Sequence, residues 1–174
     1  VFVSVMVVSV FAGYGVASSS KGEVSIACSV DPNDLSPFAG LSPGRLVINR
    51  TLYEYLIDRN EFGGEMVGCM MKSYEKVGEN TYNLTIYDYI YDTAGNHITA
   101  SDVAFSYNEA IKLGYLPKLK VITECRAIDD YTVRFVFESV KAGDLEALWS
   151  ECPVVSQTAY EASPNKMVLT PIGS

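Results

Sequence analysis

Residues 81–107 constrain the fold of this chain more than any other stretch, and they read TYNLTIYDYIYDTAGNHITASDVAFSY. Three apolar residues alternate with polar neighbours at its start: Tyr82, Leu84 and Ile86. Successive side chains of a strand point to opposite faces, so this period of two predicts a half-buried strand. We expect the strand to span residues 81–90.

The second half of the stretch predicts a turn followed by a helix. Gly95 accepts positive φ and Asn96 tolerates it, so the pair is typical of a turn. Thr99 stands three residues before Asp102, the spacing of a capped helix N-terminus. The predicted order is therefore strand, turn and capped helix, with the helix over residues 101–113.

Further strands flank this unit. Residues 74–77 precede the first strand by a short Gly-Glu-Asn connection, which predicts an antiparallel pair. Residues 119–127 and 131–138 predict a second hairpin around Asp129 and Asp130. Its second strand has one apolar face, made of Tyr131, Val133, Phe135 and Phe137.

Helices are predicted on either side of these hairpins. Ser42 before Pro43 is a favoured helix start. Four apolar residues then fall on one helical face: Ile48, Leu52, Tyr55 and Leu56. A later helix is indicated by Leu145, Leu148 and Trp149, and Ser156 is placed to cap a last short one. With a first strand at residues 24–30, the predicted fold class is α+β, with antiparallel strands and packed helices.

The beginning of the chain is typical of an export signal. Residues 1–17 are apolar or small and are shorter than the ~20 residues that span a bilayer comfortably. They predict a leader, followed by a polar linker at 18–23 and a folded unit at 24–174. Export places the protein in the periplasm or on the extracellular face of the membrane. A buried N-terminal strand and a retained membrane anchor are the alternatives.

A lipid anchor is disfavoured by one residue. The segment Phe-Ala-Gly-Tyr ending at Tyr14 matches three positions of the box that precedes the lipid-carrying cysteine of bacterial lipoproteins. Tyrosine cannot form the thioether to the lipid. We therefore expect membrane association only through a signal or another anchor.

Net charge bears on the possible partners, and cysteine usage bears on possible disulfides. The net charge of −8 disfavours nucleic acid as a partner, because phosphate binding needs clustered Lys and Arg. Four cysteines are widely spaced: Cys28, Cys69, Cys125 and Cys152. Export permits disulfides, although buried free thiols are the favoured interpretation.

No catalytic or metal-binding set is visible in the sequence. His97 is the only histidine and stands beside the predicted turn, where we expect it to be solvent-exposed. We therefore predict no enzyme activity, cofactor or metal. Asp129 and Asp130 are adjacent turn residues that point apart. Asp31 and Asp34 lack the spacing of a calcium loop and are attributed to Asx turns.

Two further patterns have structural interpretations. Asn49 and Asn83 begin glycosylation sequons but lie inside predicted elements, which argues against modification. Tyr87, Tyr89 and Tyr91 share one face of the predicted strand. We expect them to pack against the neighbouring helix, and an exposed binding surface is the alternative.

Several motifs together resemble family 5 extracellular solute-binding proteins, the oligopeptide, dipeptide and nickel-binding components of ABC importers. The D-G-x-P-[IL]-T-A-x-D-V-x-F-S signature is matched by Gly95, Ile98, Thr99, Ala100, Asp102, Val103, Phe105 and Ser106. Shorter matches are the Asp-Pro loop at 31–32, Leu-Tyr-Glu-Tyr-Leu at 52–56, Thr-Tyr-Asn-Leu at 81–84, Ile-Asp-Asp-Tyr-Thr-Val at 128–133 and Pro-Ile-Gly at 171–173. The resemblance runs from about residue 24 to residue 174.

This resemblance implies the N-terminal part of a two-lobed, type II periplasmic-binding-protein-like fold, because family members are far longer than this chain. It implies a peptide or similar small solute as ligand and ABC permease subunits as partners. It places one loop near the cleft between the lobes: Asp34, Leu35, Ser36, Pro37 and Phe38. The direction of that loop predicts backbone groups free to pair with an extended peptide.

Two other functions remain open from the sequence. An extracellular peptide-sensing or interaction module without transport shares the same fold. A secreted hydrolase requires a nucleophile and a base, for which Ser36, Ser106 and the cysteines are the candidates.

Overall fold

The computed structural model describes residues 34–38, 43–59, 64–168 and 170–173. For residues 43–47 it describes the backbone alone. The predicted leader at 1–17, the linker at 18–23 and the strand at 24–30 lie outside the described residues. The same holds for Asp31, Cys28 and the cap residue Ser42.

A four-stranded antiparallel sheet forms the centre of the described region. Its strands are β3 (Met71–Lys76), β4 (Thr81–Ile86), β5 (Ile122–Ala127) and β6 (Thr132–Phe137), in the order β3-β4-β6-β5. The period of two is confirmed, since Tyr82, Leu84 and Ile86 are buried on β4. A smaller sheet pairs β1 (Ile57–Arg59) with β2 (Met66–Gly68).

The prediction that the strand of residues 81–90 continues past Ile86 was wrong. Met71 is paired with Ile86 at the end of β3, and the Ile86 N–H donates to the Tyr131 carbonyl where β6 begins. Neither neighbouring strand reaches further. The Tyr87 N–H donates instead to the Met70 carbonyl, and the chain leaves the sheet.

The second hairpin is confirmed, with a later start than predicted. Pro117–Val121 form a 3-10 helix, so β5 begins only at Ile122. Proline fixes φ and lacks an N–H, which suits the start of a helical turn and not a strand. At the hairpin turn the Asp129 Oδ1 accepts from the Tyr131 N–H at 2.9 Å, the turn chemistry that the sequence predicts.

Four helices pack around the sheets in the described part of the chain: α1 (Pro43–Leu52), α2 (Ala100–Leu113), α3 (Leu145–Trp149) and α4 (Gln157–Ala162). The predicted capped helix is α2, which ends at Gly114 with φ 75°. Ser156 caps α4 as predicted, with its Oγ accepting from the Ala159 N–H.

The prediction that Tyr55 and Leu56 continue the face of α1 was wrong. The helix ends at Leu52, and Tyr55 forms an isolated antiparallel bridge with Pro153. The Leu56 carbonyl accepts from Met71. Tyr55 and Leu56 are buried because the extended segment that contains them joins the two sheets. Helical periodicity in the sequence cannot reveal that arrangement.

The core lies between the sheet and the helices α2 and α3. Trp149 is fully buried and packs near Tyr82 and Phe135. Cys125 and Cys152 are buried free thiols in this interior, and Cys69 is a partly exposed free thiol. Burial raises the pKa of Cys152 well above its ordinary value. Among the described residues no helix is long and apolar enough to cross a bilayer.

Candidate functional site

The loop predicted to border the ligand is folded onto the domain. The Asp34 Oδ1 accepts from the Ser36 N–H at 3.0 Å, which makes the predicted Asx turn. Phe38 is fully buried, and its ring centroid lies 5.3 Å from that of Tyr160 on α4. Packing against α4 therefore fixes one end of the loop.

Long-range hydrogen bonds hold the middle of the loop. The Leu35 N–H donates to the Val168 carbonyl at 2.8 Å. The Tyr53 hydroxyl donates to the Leu35 carbonyl at 2.7 Å. Burial, with a smaller contribution from nearby Asp34, raises the pKa of Tyr53 far above its ordinary value. The hydroxyl therefore stays protonated and available as the donor at all physiological pH values.

Asn49 holds the loop from beneath. Its side-chain Nδ2 lies 3.4 Å from the Ser36 carbonyl and 3.5 Å from the Pro37 carbonyl, and the residue is 2 % exposed. Its Oδ1 is buried and has no hydrogen-bond partner in the described part of the chain. Burial in α1 also agrees with the prediction that this sequon asparagine is structural.

The prediction that the backbone of this loop is free to pair with an extended peptide does not hold at Leu35 and Ser36. The polar backbone groups of Leu35 and Ser36 are bonded to Val168, Tyr53, Asp34 and Asn49. Buried N–H and C=O groups must find partners, and here the fold itself supplies them. The loop side chains are placed as follows: Asp34 and Leu35 partly exposed, and Ser36, Pro37 and Phe38 buried.

The last described segment packs beside the loop. Lys166 and Met167 have φ values of 52° and 64°, and the Met167 N–H donates to the Ser163 Oγ at 2.9 Å. Further on, the Thr93 N–H donates to the Gly173 carbonyl at 2.8 Å. A Cβ on Gly173 would lie 1.6 Å from the Leu52 carbonyl oxygen, so only glycine fits this approach to the end of α1.

A cavity of about 420 Å³ opens on the same side of the molecule, within the range of small-molecule sites. Its walls carry no charged side chain and combine apolar with polar residues: Ala94, Asn96, Thr158, Ala159, Ala162, Ser163, Pro164, Thr170 and Ile172. Residues 166–168 and 170–173 lie between this cavity and the loop, since Val168 bonds Leu35 and Ile172 lines the cavity. We call the loop at 34–38, Asn49, Tyr53, α4 and residues 166–168 and 170–173 the loop face.

One buried carboxylate organises the turn at the edge of the cavity. The Asp92 Oδ1 accepts from the N–H groups of Ala94 at 3.0 Å and Asn96 at 2.8 Å. Its Oδ2 accepts from the Asn96 side chain at 2.7 Å. The sequence predicts the turn from Gly95, whose φ is 87°. The role of Asp92 in this turn is not identified from the sequence. An Asp three residues before a turn glycine could have indicated it.

The signature residues of α2 are bonded inside the fold. The Asp102 Oδ2 accepts from the Thr99 N–H at 2.8 Å, and its Oδ1 accepts from the Gln157 N–H at 2.8 Å. Ser106 is fully buried, and its Oγ accepts from the Val155 N–H at 3.0 Å. These residues tie α2 to the start of α4. Ser106 is thus closed to a substrate and bonded to backbone, which argues against its use as a nucleophile.

His97 is not the solvent-exposed residue that its position predicts. It is half-buried, stacked on Tyr91 with ring centroids 4.7 Å apart, and its Nε2 lies 2.9 Å from the Asp88 carbonyl. The isolated bridge between Tyr91 and His97 brings the two rings together. No group of His, Cys, Asp and Glu residues capable of holding a metal is formed by the described residues.

The prediction that three tyrosines pack against the neighbouring helix was wrong. Tyr89 is 67 % exposed and Tyr91 is 56 % exposed, while Tyr87 is half-buried. They follow the end of β4, where the chain has left the sheet and none of the described helices covers Tyr89 and Tyr91. The other sequon residue, Asn83, is buried on β4 and donates to the Glu75 carboxylate, as a structural residue does.

Comparison with known proteins identifies the fold. The oligopeptide-binding protein AppA from Bacillus subtilis, solved with a nonapeptide, matches with a TM-score of 0.72 and 17 % identity over 83 % of this chain and 31 % of its own. NikZ from Campylobacter jejuni, solved with Ni(L-His), matches with a TM-score of 0.70 and 16 % identity over 83 % of this chain and 30 % of its own. DppA from Helicobacter pylori, solved with the peptide STSA, matches with a TM-score of 0.68 and 18 % identity over 80 % of this chain and 33 % of its own.

These matches confirm the predicted resemblance and the predicted fold class. The chain has the fold of periplasmic solute-binding proteins and spans about a third of the length of the solved structures that it matches. No family profile and no curated protein sequence matches it. At these identities the comparison establishes the fold, and the ligand has to be argued from the residues.

Proposed function

We propose that this chain belongs to the solute-capturing component of an ABC importer, is exported, and takes peptides or similar small solutes. The observation that supports this most is the shared fold with three ligand-carrying binding proteins over 80–83 % of the chain. The loop face adds a cavity and, connected to it through the Leu35–Val168 hydrogen bond, a loop whose conformation is fixed in advance by the protein. Preorganised loops of this kind lower the entropic cost of binding.

In this proposal the chain supplies one wall of the binding site. Capture proceeds by closure of two lobes about a hinge, with higher affinity for the closed state, and ABC permease subunits receive the loaded protein. The loop from Asp34 to Phe38 borders the solute. Asn49 and Tyr53 act as positioning residues, because they hold the loop through its carbonyl groups.

The neutral cavity walls favour a solute that is bound through shape and hydrogen bonds in this region. The polar side chains of this lining are Asn96, Thr158, Ser163 and Thr170, of which Asn96 and Ser163 also bond within the protein. Such a lining tolerates varied side chains on a bound peptide, since it offers no fixed charge that would favour or exclude a particular one.

Equilibrium binding of a mixed peptide library tests the proposal, using the complete product of the reading frame that contains this chain. We expect saturable binding and a peptide retained through purification. If no peptide or other solute is retained or bound on titration, the proposal is wrong.

A variant separates the role of the loop from the general function. Tyr53→Phe removes the hydroxyl that bonds Leu35 and should raise the Kd for the retained solute about five-fold, roughly one lost hydrogen bond. Tyr115→Phe, at an exposed site away from the loop face, is the matched control. Equal Kd values for both variants would exclude the loop from the site and leave solute binding itself intact.

A further inference from the structure

A second surface lies outside the loop face. It consists of five aromatic side chains, which we call the tyrosine patch: Tyr87, Tyr89, Tyr91, His97 and Tyr131. The ring centroids of Tyr87 and Tyr89 lie 5.1 Å apart, those of Tyr91 and His97 lie 4.7 Å apart, and those of His97 and Tyr131 lie 5.9 Å apart.

The two groups of rings are adjacent. The His97 Nε2 lies 2.9 Å from the carbonyl of Asp88, which stands between Tyr87 and Tyr89 in the chain. The Ile86 N–H donates to the Tyr131 carbonyl, so the β5–β6 turn packs beside the same segment. Backbone contacts therefore hold the patch in place, while Tyr89 and Tyr91 are exposed to solvent and Tyr87 and Tyr131 are half-buried.

Exposed carboxylates outnumber basic residues around the patch. Residues 77–111 contain no Lys or Arg, and among their carboxylates Asp88 is exposed beside the rings, whereas Asp92 and Asp102 are buried and bonded within the fold. The β5–β6 turn adds Asp129 and Asp130, and the Ala100 N–H bonds the Asp130 carbonyl, which brings this turn to the start of α2. The bond from the Tyr131 N–H lowers the pKa of Asp129, so that carboxylate is ionised throughout the neutral range. Lys72 lies in the bulge of β3 beside Ile86 and is the one basic residue of that bulge.

We propose that the tyrosine patch is a docking surface for a Lys- or Arg-bearing segment of a partner protein. Exposed tyrosine faces attract cations through their quadrupoles, and the surrounding carboxylates add long-range attraction. Aromatic residues are enriched at protein interfaces, whose rim is polar and solvent-accessible. The negative field disfavours an anionic membrane surface and a second copy of this acidic chain. This proposal does not depend on the solute-binding function.

Fluorescence anisotropy with labelled hexaarginine tests the surface on this chain. The Tyr89→Ser/Tyr91→Ser double variant should raise the Kd about ten-fold, as expected for two exposed cation–π contacts. Tyr115→Ser is the matched control, because Tyr115 is 58 % exposed but stands between Lys112 and Lys118. That control should change the Kd less than about two-fold. Both sites are exposed, so the variants keep the fold, which circular dichroism checks.

A second pair of variants separates local from overall charge. Asp88→Asn/Asp129→Asn and Glu146→Gln/Glu161→Gln change the net charge equally. Only the first pair should weaken binding of hexaarginine, and added salt should weaken it further. The proposal is overturned if both charge pairs lose the same affinity for hexaarginine. It is also overturned if the Tyr89/Tyr91 variant and the Tyr115 control lose the same affinity. Either result would mean that hexaarginine binds through net charge or at the loop face. Self-association that the Tyr89/Tyr91 variant abolishes would overturn the proposal in favour of a second copy.

Discussion

The helix α2 and the loop face show two ways in which a chain can fix side chains. In α2 the signature residues Thr99 and Asp102 bond each other across one helical turn, and Asp102 then bonds Gln157. On the loop face, Leu35 depends on Tyr53 and Val168, which come from distant parts of the chain. The first arrangement is visible as a motif. The second cannot be recognised as a motif, because its hydrogen-bond partners are far apart in the sequence.

The comparison also separates family identity from chemistry. The residues that carry the resemblance are mostly buried, and Ser106 and Val103 have no exposed surface. They identify the fold because they set how α2 meets the sheet and α4. Variants of α2 should therefore change stability, and variants of the loop face should change local order and affinity.

The largest effect is expected from Tyr107 in α2. Tyr107→Ala should lower the free energy of unfolding by about 4 kcal/mol, the usual cost of removing a large buried ring. The ring is fully buried, packs 5.0 Å from Phe135, and its hydroxyl lies 3.2 Å from the Trp149 carbonyl. Urea unfolding measures the change.

Tyr107→Phe is the matched control for that substitution, and it should cost about 1 kcal/mol because only the hydrogen bond is lost. A loss below that value for Tyr107→Ala would show that α2 is not part of the cooperative core, and the contrast with the loop face would disappear.

A smaller and more local effect is expected at the end of the loop face. Gly173→Ala places a Cβ against the Leu52 carbonyl and should weaken the docking of this segment by about 2 kcal/mol. The Thr93 N–H, which bonds the Gly173 carbonyl, should then exchange with solvent about thirty-fold faster.

Gly143→Ala provides the comparison for that measurement, since an added Cβ at Gly143 meets no atom within 4 Å. It should leave the exchange of Thr93 unchanged. If both variants alter the exchange rate alike, the close approach of Gly173 to α1 does not hold the segment.

The smallest effect is expected at the hairpin turn. The folded-state pKa of Asp129 is lowered below its ordinary value of 3.8, mainly by the Tyr131 N–H. Its contribution to stability is therefore present above the unfolded pKa and is lost as pH falls through the folded pKa. In urea unfolding between pH 6 and pH 2, Asp129→Asn should show a shallower loss of stability than the unsubstituted chain.

Asp130→Asn serves as the neighbouring control in the same titration, because the turn hydrogen bond to Tyr131 belongs to Asp129. Superimposable pH profiles for Asp129→Asn and the unsubstituted chain would contradict the assignment of this local interaction.

Much of the secondary structure follows from local sequence. The alternation at Tyr82, Leu84 and Ile86, the cap at Thr99, and the hairpin around Asp129 depend on interactions within a few residues, so their patterns are readable. Two of the errors share one cause, which is a contact or strand end elsewhere in the fold. Tyr55 left the predicted helix for a bridge to Pro153, and residues 87–90 left the predicted strand because β3 and β6 ended.

The candidate site was only partly predictable. The loop at 34–38 was named from the resemblance, and its Asx turn was expected from Asp34. Its attachment to Asn49, Tyr53 and Val168 was not, because those contacts close long stretches of chain. The same holds for the exposure of Tyr89 and Tyr91, which depends on where neighbouring elements stop.

The sequence by itself determined the α+β class, the strand–turn–helix unit and the resemblance to solute-binding proteins, since these rest on periodicity and capping over a few residues. Only the tertiary structure decided that the backbone of Leu35 and Ser36 is already bonded, that Gly173 meets α1, and that Tyr89 and Tyr91 are exposed. Hydrogen bonding and burial depend on how the whole chain packs. A residue's partners from distant parts of the chain produce no periodic pattern in the sequence around it.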